Sequence, residues 1–172
     1  MFDEISGIPA HPLLVHAAVV FIPLQILLGI GYALVPALQR RIGWAVLATA
    51  VIGPVAAFFA KESGEAFEDR LVKGGMTELT KVHEHADFAE VTLWLSLALG
   101  VLVIVLMLVE RRRRTAPPAA TDADAAAPTA PSGGAKYLAL LLAVAVVVVG
   151  VATGYYVYKT GDTGAKMVWS GL

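Results

Sequence analysis

The chain has 172 residues, 58% of them hydrophobic, with a mean hydropathy of +0.72. Its net charge of −1 offers no basic field for nucleic acid, and the lack of cysteine excludes disulfides, thiolate metal sites, iron–sulfur clusters and thiol catalysis. The apolar residues come in blocks too long for a soluble core of this size, so the solvent they point to is a lipid bilayer.

The opening "MFDEISGIPA" carries Asp3 and Glu4 and no Lys or Arg, so it lacks the basic region of a cleaved secretory signal. The first apolar segment is expected to stay as an anchor. Four spans follow, over about 13–38, 42–60, 88–109 and 137–158. Each holds roughly twenty apolar residues, enough to cross about 30 Å of hydrocarbon at 1.5 Å per residue. With no charge in their middles and no water for their amides, helices are the conformation expected. The fold expected is therefore all-α, a single domain over 1–172 built as a four-helix transmembrane bundle. Pro23 and Pro54 should bend spans one and two, and Gly29, Gly31, Gly53, Gly100, Gly150 and Gly154 should let helices approach closely.

Between spans two and three, Ala66, Phe67, Leu71, Val72, Leu79 and Val82 recur at helical spacing among acids. Gly74-Gly75 interrupts the run, which predicts two short amphipathic helices over 61–85 lying on the bundle end. The stretch 115–135, "TAPPAATDADAAAPTAPSGGA", is too poor in large apolar residues to order itself and is expected to be a flexible cytoplasmic linker. In the tail, Gly161, Asp162, Thr163 and Gly164 have turn-forming composition. Val168 and Trp169 then form an apolar end, suited to an interfacial anchor or to a plug folded back on the loop. Asp162 and the glycine amides could add polar groups to a nearby site.

Orientation follows from where arginines cluster. "QRR" at 39–41 and "ERRRR" at 110–114 sit at the membrane edge, which places that side in the cytoplasm of a bacterial cell (inner) membrane. Both termini and the 61–85 loop are then extracytoplasmic.

All four histidines fall on the outer side: His11 and His16 at the start of span one, His83 and His85 at the start of span three. At about 100° per residue, His11 and His16 point about 140° apart, so one helix cannot supply a chelating pair. Any site must be assembled between helices. His16, roughly 6 Å inside the membrane edge, should face the bundle, and His85 is its expected partner. That pair could ligate a single b-type haem. Alternatively, His11, His16 and His85 with Glu62 or Glu65 could hold a divalent metal of the zinc, copper or iron type. The imidazoles could equally be structural, hydrogen bonded to a carboxylate or carbonyl, or proton-linked. The inner half has no histidine, so at most one outer haem is expected and a two-haem electron wire is disfavoured.

The ordered motifs "GIPAHPLLVHAAVVFIPL", "SGEAFEDRL", "HADFAE" and "GDTGAKMVW" resemble the DUF2231 family of predicted bacterial membrane proteins, in a form like that of actinobacterial members. The resemblance covers nearly the whole chain except 115–135. It implies functional weight on His11, Pro12 and His16, on Ser63, Gly64 and Glu65, on His85, and on Gly161, Gly164, Ala165 and Trp169. Many members read "HFP" where this chain has His16-Ala17-Ala18, with its proline displaced to Pro23. Every matched motif lies on the outer face. Two functional expectations follow. The first is a redox or cofactor-binding protein, with His16 and His85 as ligands, Glu65 beside them, and Ser63, Asp162 and Trp169 in supporting roles. The second is a non-enzymatic membrane subunit or scaffold, whose loop and tail dock a redox or other membrane-protein partner. A third class, small-ion or proton handling, also stays open. No nucleophile elbow, phosphate loop or dinucleotide fingerprint is present.

Overall fold

A computed structural model describes residues 4–5, 7–76, 79–115 and 133–170. A two-stranded hairpin, β1 (Glu4–Ile5) and β2 (Ile8–Pro9), precedes four helices: α1 (Ala10–Leu34), α2 (Gln39–Lys73), α3 (Thr80–Thr115) and α4 (Gly133–Ser170). All four are long and apolar enough to cross a membrane. The bundle is all-α and runs up and down. α1 and α3 lie diagonally, each flanked by α2 and α4.

Local chemistry sets the helix ends. α1 stops at Leu34, short of the expected 38, because Val35 precedes Pro36 and takes an extended conformation. α2 ends in a Schellman turn: Gly75, at φ 91°, donates to the Val72 carbonyl (3.0 Å), and Met76 donates to the Leu71 carbonyl (3.0 Å). Pro12 falls in the first turn of α1, where no backbone N–H is needed.

Two expectations are corrected here. The 61–85 segment does not form separate short helices; α2 continues through it to Lys73 and α3 begins within it at Thr80. Alternation of Lys61, Glu62 and Glu65 with apolar residues marks an amphipathic face, and nothing in that composition ends a helix. The tail is likewise helical through Ser170, because packing of Thr160, Thr163 and Gly164 on α3 outweighs the roughly 1 kcal/mol cost of each glycine. The expected linker lies outside the described residues apart from its edges, Thr115 and 133–135, which are helical.

Large apolar side chains point outward along the spans; Leu27 is 70% and Leu141 67% exposed, as a lipid-facing surface requires. Exposed Trp44 and Tyr137 mark one rim, and exposed Trp94, Tyr155 and Tyr158 the other. Tyr137 to Tyr158 spans about 32 Å of helix, which matches the hydrocarbon core. The helices run past it, so His11, just before the apolar run of α1, and His85, just before that of α3, stand outside the spans.

The core divides by depth. Toward the arginine end, Tyr32, Val46, Leu99, Val103, Leu106, Ala139 and Val146 pack into one apolar cluster. Toward the terminal end, the buried positions include Gln25, Thr92, Ser96 and Thr153. Each hydroxyl there bonds a carbonyl of its own helix, for example Thr92 to Phe88 (2.8 Å) and Thr153 to Val149 (2.7 Å).

The two helical hairpins bury equivalent positions. Ile22, Gln25, Gly29 and Tyr32 of α1 match Ser96, Leu99, Val103 and Leu106 of α3 at one constant offset, 74 residues. Gln39, Val46, Ala50 and Gly53 of α2 match Ala139, Val146, Gly150 and Thr153 of α4 at another, 100 residues. This is the signature of an internal repeat with its axis along the membrane normal.

Candidate functional site

Each hairpin places one histidine on its first helix against a hydroxyl-glycine pair on its second. On α2, Ala60, Ser63, Gly64 and Phe67 form a stripe at spacings of three and four residues, and His11 of α1 lies along it. Its Nδ1 is 3.0 Å from the Ala60 carbonyl and 3.2 Å from Ser63 Oγ. Its ring stacks on Phe67 at 6.2 Å and 15°. Gly64 leaves the space: a Cβ there would stand 3.1 Å from His11 Cε1.

The second hairpin repeats the arrangement. His85 Nδ1 lies 3.0 Å from Thr163 Oγ1, and a Cβ at Gly164 would stand 3.1 Å from His85 Cε1. Within the next two turns, Thr92 meets Thr160 at 3.1 Å, and Phe88 packs against Tyr156. The two histidines then meet each other, ring centroids 6.4 Å apart and nearly perpendicular at 87°.

The partners fix the tautomers. A carbonyl only accepts, so His11 Nδ1 must carry the proton it shows to Ala60. Ser63 donates its own proton to the Ala60 carbonyl (2.8 Å), and Thr163 donates to Lys159 (3.0 Å). Both hydroxyls can therefore accept from the rings. Each neutral ring then carries its lone pair on Nε2. Burial holds both rings below the usual histidine range, and for His85 the neighbouring His11 adds to the effect. Near neutral pH the pair is thus two uncharged imidazoles, each held by its Nδ1–H.

The expected pairing of His16 with His85 is corrected: the ring that meets His85 is that of His11. His16 is exposed on another side of α1, and its Nδ1 turns back to the Pro12 carbonyl. The angle of about 140° between the two positions means only one can face the bundle, and α2 selects His11 by its Ser63-Gly64 pair. Glu65 is exposed and paired with Lys61, away from the rings. Among the described residues no three His, Asp or Glu side chains gather as a metal cage, so the expected set of His11, His16, His85 and Glu65 does not form. Ser63, 1% exposed, does hold a ring. Asp162 pairs with Lys166 at 2.7 Å, and Trp169 is 88% exposed instead of folded back. His83 binds Glu68 at 2.9 Å, and Arg70 binds Glu4 at 2.9 Å, which ties the β-hairpin to α2.

Two features of the site carry weak sequence signals. Thr163 has turn-forming neighbours, although Ser63-Gly64 and Thr163-Gly164 are the same kind of dipeptide on paired helices. Gln25 is the one amide inside the spans. It is 1% exposed; its Nε2 donates to the Ser96 carbonyl (2.8 Å), and its Oε1 has no hydrogen-bond donor among the described residues.

A family model described as predicted membrane protein, DUF2231, matches residues 7–171, and the chain belongs to that family. No curated protein and no solved structure matches it.

Proposed function

We propose that this DUF2231 protein holds one transition-metal centre between His11 and His85, in a redox role at the extracytoplasmic mouth of the bundle. The observation that carries the proposal is the pair of rings 6.4 Å apart, each with Nδ1 tied to oxygen and Nε2 left free. Oriented imidazoles of this kind are what borderline metals bind, and the oxygen partners are the groups that ordinarily set ligand orientation and basicity. His11 and His85 would hold a haem iron, or a single copper or iron ion with room for an external ligand, and the group would supply the electron-transfer chemistry. The arginine-rich end would face the cytoplasm of the bacterial inner membrane.

The test uses the full chain purified in mild detergent, by visible absorption and elemental analysis. About one metal per chain is expected. A Soret band identifies haem, its absence with copper or iron present identifies the free ion, and zinc alone would overturn the redox role. Binding of either form should fall sharply in His11→Ala and His85→Ala and stay unchanged in His16→Ala. Ser63→Ala or Thr163→Val should weaken binding about 10–100-fold. A folded, colourless protein that takes up no metal on titration would overturn the proposal.

A second reading, a subunit that docks a membrane-protein partner, draws on Val168 and Trp169, 78% and 88% exposed at the end of α4. Under that reading, Trp169→Ala loses a co-purifying protein, and the histidine variants do not.

A further inference from the structure

The opposite end of the bundle carries a different feature. Between α2 and α3 a groove of about 410 Å3 is lined by Leu47, Ile104, Met107 and Leu108, with Tyr32 of α1 beside them. Arg111 and Arg114 line its end nearest the C-terminus of α3. The apolar walls belong to the last turns of the span, and the arginines stand one turn beyond, at headgroup depth.

Charge at this end is one-sided. Arg40 and Arg41 are exposed on the first turn of α2, and Arg111 to Arg114 on the last turn of α3. Among the described residues the one carboxylate here is Glu110, and Arg113 takes it at 2.6 Å. Arg111 and Arg114 therefore have no carboxylate partner among the described residues. Arg114 is nonetheless held in place, because its Nη2 donates to Gln39 Oε1 while Gln39 Nε2 donates to the Tyr32 carbonyl at 2.9 Å. A fixed guanidinium beside a second one is a bidentate donor site for phosphate oxygens. Arg40 and Arg41 also stand at the N-terminus of α2, where no acidic side chain offsets the positive end of the helix dipole.

We propose that this groove binds an anionic phospholipid, one acyl chain lying between α2 and α3 and the phosphate held by Arg111 and Arg114. Charge complementarity selects the headgroup and the apolar walls select the chain; basic pockets between transmembrane helices on one leaflet bind lipids in this way.

The experiment is lipid titration of the delipidated full chain in detergent, followed by native mass spectrometry. Phosphatidylglycerol should bind at least tenfold more tightly than phosphatidylcholine of the same chains. Arg111→Gln should weaken it about fivefold, the usual contribution of one basic residue near an anionic surface. Arg111→Gln/Arg114→Gln should weaken it about 25-fold, whereas Arg112→Gln/Arg113→Gln, with the same charge loss, should stay within about twofold. Leu108→Trp, which fills the groove and keeps the arginines, should abolish the preference. Equal loss in both double variants would reduce the effect to diffuse charge. Inorganic phosphate competing as well as the lipid would make it a free-anion site. Equal binding of both lipids would remove the headgroup contact. Each of these three results overturns the proposal.

Discussion

Substituting Gly100 by alanine probes the closest approach in the bundle. A Cβ at Gly100 would stand 2.5 Å from the Ala50 carbonyl oxygen and 3.3 Å from Gln25 Nε2. Ala50 is four residues before Pro54, whose missing N–H leaves that carbonyl outside the helix ladder and facing α3. An ordinary carbon-to-carbonyl contact is about 3.3 Å, so α2 and α3 must separate by about 0.8 Å. A gap of that size forfeits about a quarter to a half of the attraction at each contact along the seam, which includes fully buried Ser96, Leu99 and Val103. The neighbour is backbone and cannot rotate away. The expected cost is about 2–3 kcal/mol, the upper part of the range for overpacked cores. In thermal unfolding of the detergent-solubilised protein this reads as a loss of about 5–10 °C. Gly161→Ala is the control, because a Cβ there meets nothing within 4 Å and the change should be neutral or slightly stabilising. A Gly100→Ala protein that melts within about 2 °C of the native chain would refute the reasoning.

Gln25→Met removes the 2.8 Å bond to Ser96, worth about 0.6 kcal/mol between membrane helices, and also removes an acceptor whose buried isolation costs about 1–3 kcal/mol. Unfolding should show equal or greater stability; a loss above about 2 kcal/mol would mean that Oε1 is held by a donor. The metal-free protein should lose stability as pH falls, because both site rings sit below the ordinary 6.5 and the unfolded chain takes up protons first. That contribution is complete above about pH 6.5 and declines below it toward the folded values, so a melting series from about pH 8 to 5 should flatten in His11→Asn/His85→Asn. Orientation can be read on single cysteines, since the native chain has none. A cysteine at Ser170 should react with an impermeant maleimide on intact cells and one at Thr115 should not; the reverse pattern would invert the assignment.

The four spans and the arginine clusters were legible because a bilayer imposes length and hydropathy directly on sequence. The extensions of α2 and α4 were not. Polar composition over 61–73 and glycines over 161–164 weaken a helix locally, and only the neighbouring helix decides whether it continues. The histidines were found as a group, but their pairing was not. Depth favoured His16 over His11, and the deciding quantity was rotational phase relative to α2, which depends on packing. The phase was encoded in the Ala60, Ser63, Gly64, Phe67 stripe, a signal that gains meaning only once its partner helix is known. Gln25 escaped for the opposite reason: it disturbs neither hydropathy nor charge, and its isolation shows only in three dimensions.

The internal repeat makes a stronger demand on the proposed centre than proximity does. His11 and His85 occupy corresponding places in the two hairpins, each beside a hydroxyl-glycine pair and each donating Nδ1–H to oxygen. The hairpins diverge deeper down, where Gln25 stands at the position equivalent to Leu99 and Gly53 at that equivalent to Thr153. Equivalence has therefore survived at the mouth, while the middle of the bundle has gone its separate ways. If both rings ligate one metal, losing either removes one of two like donors, and His11→Ala and His85→Ala should weaken binding by factors within about threefold of each other, or about 0.7 kcal/mol. Ligation by one ring alone would leave the other variant at native affinity with only its stability reduced. Competitive titration against a calibrated chelator separates the two outcomes, because it reports affinity on whatever fraction remains folded.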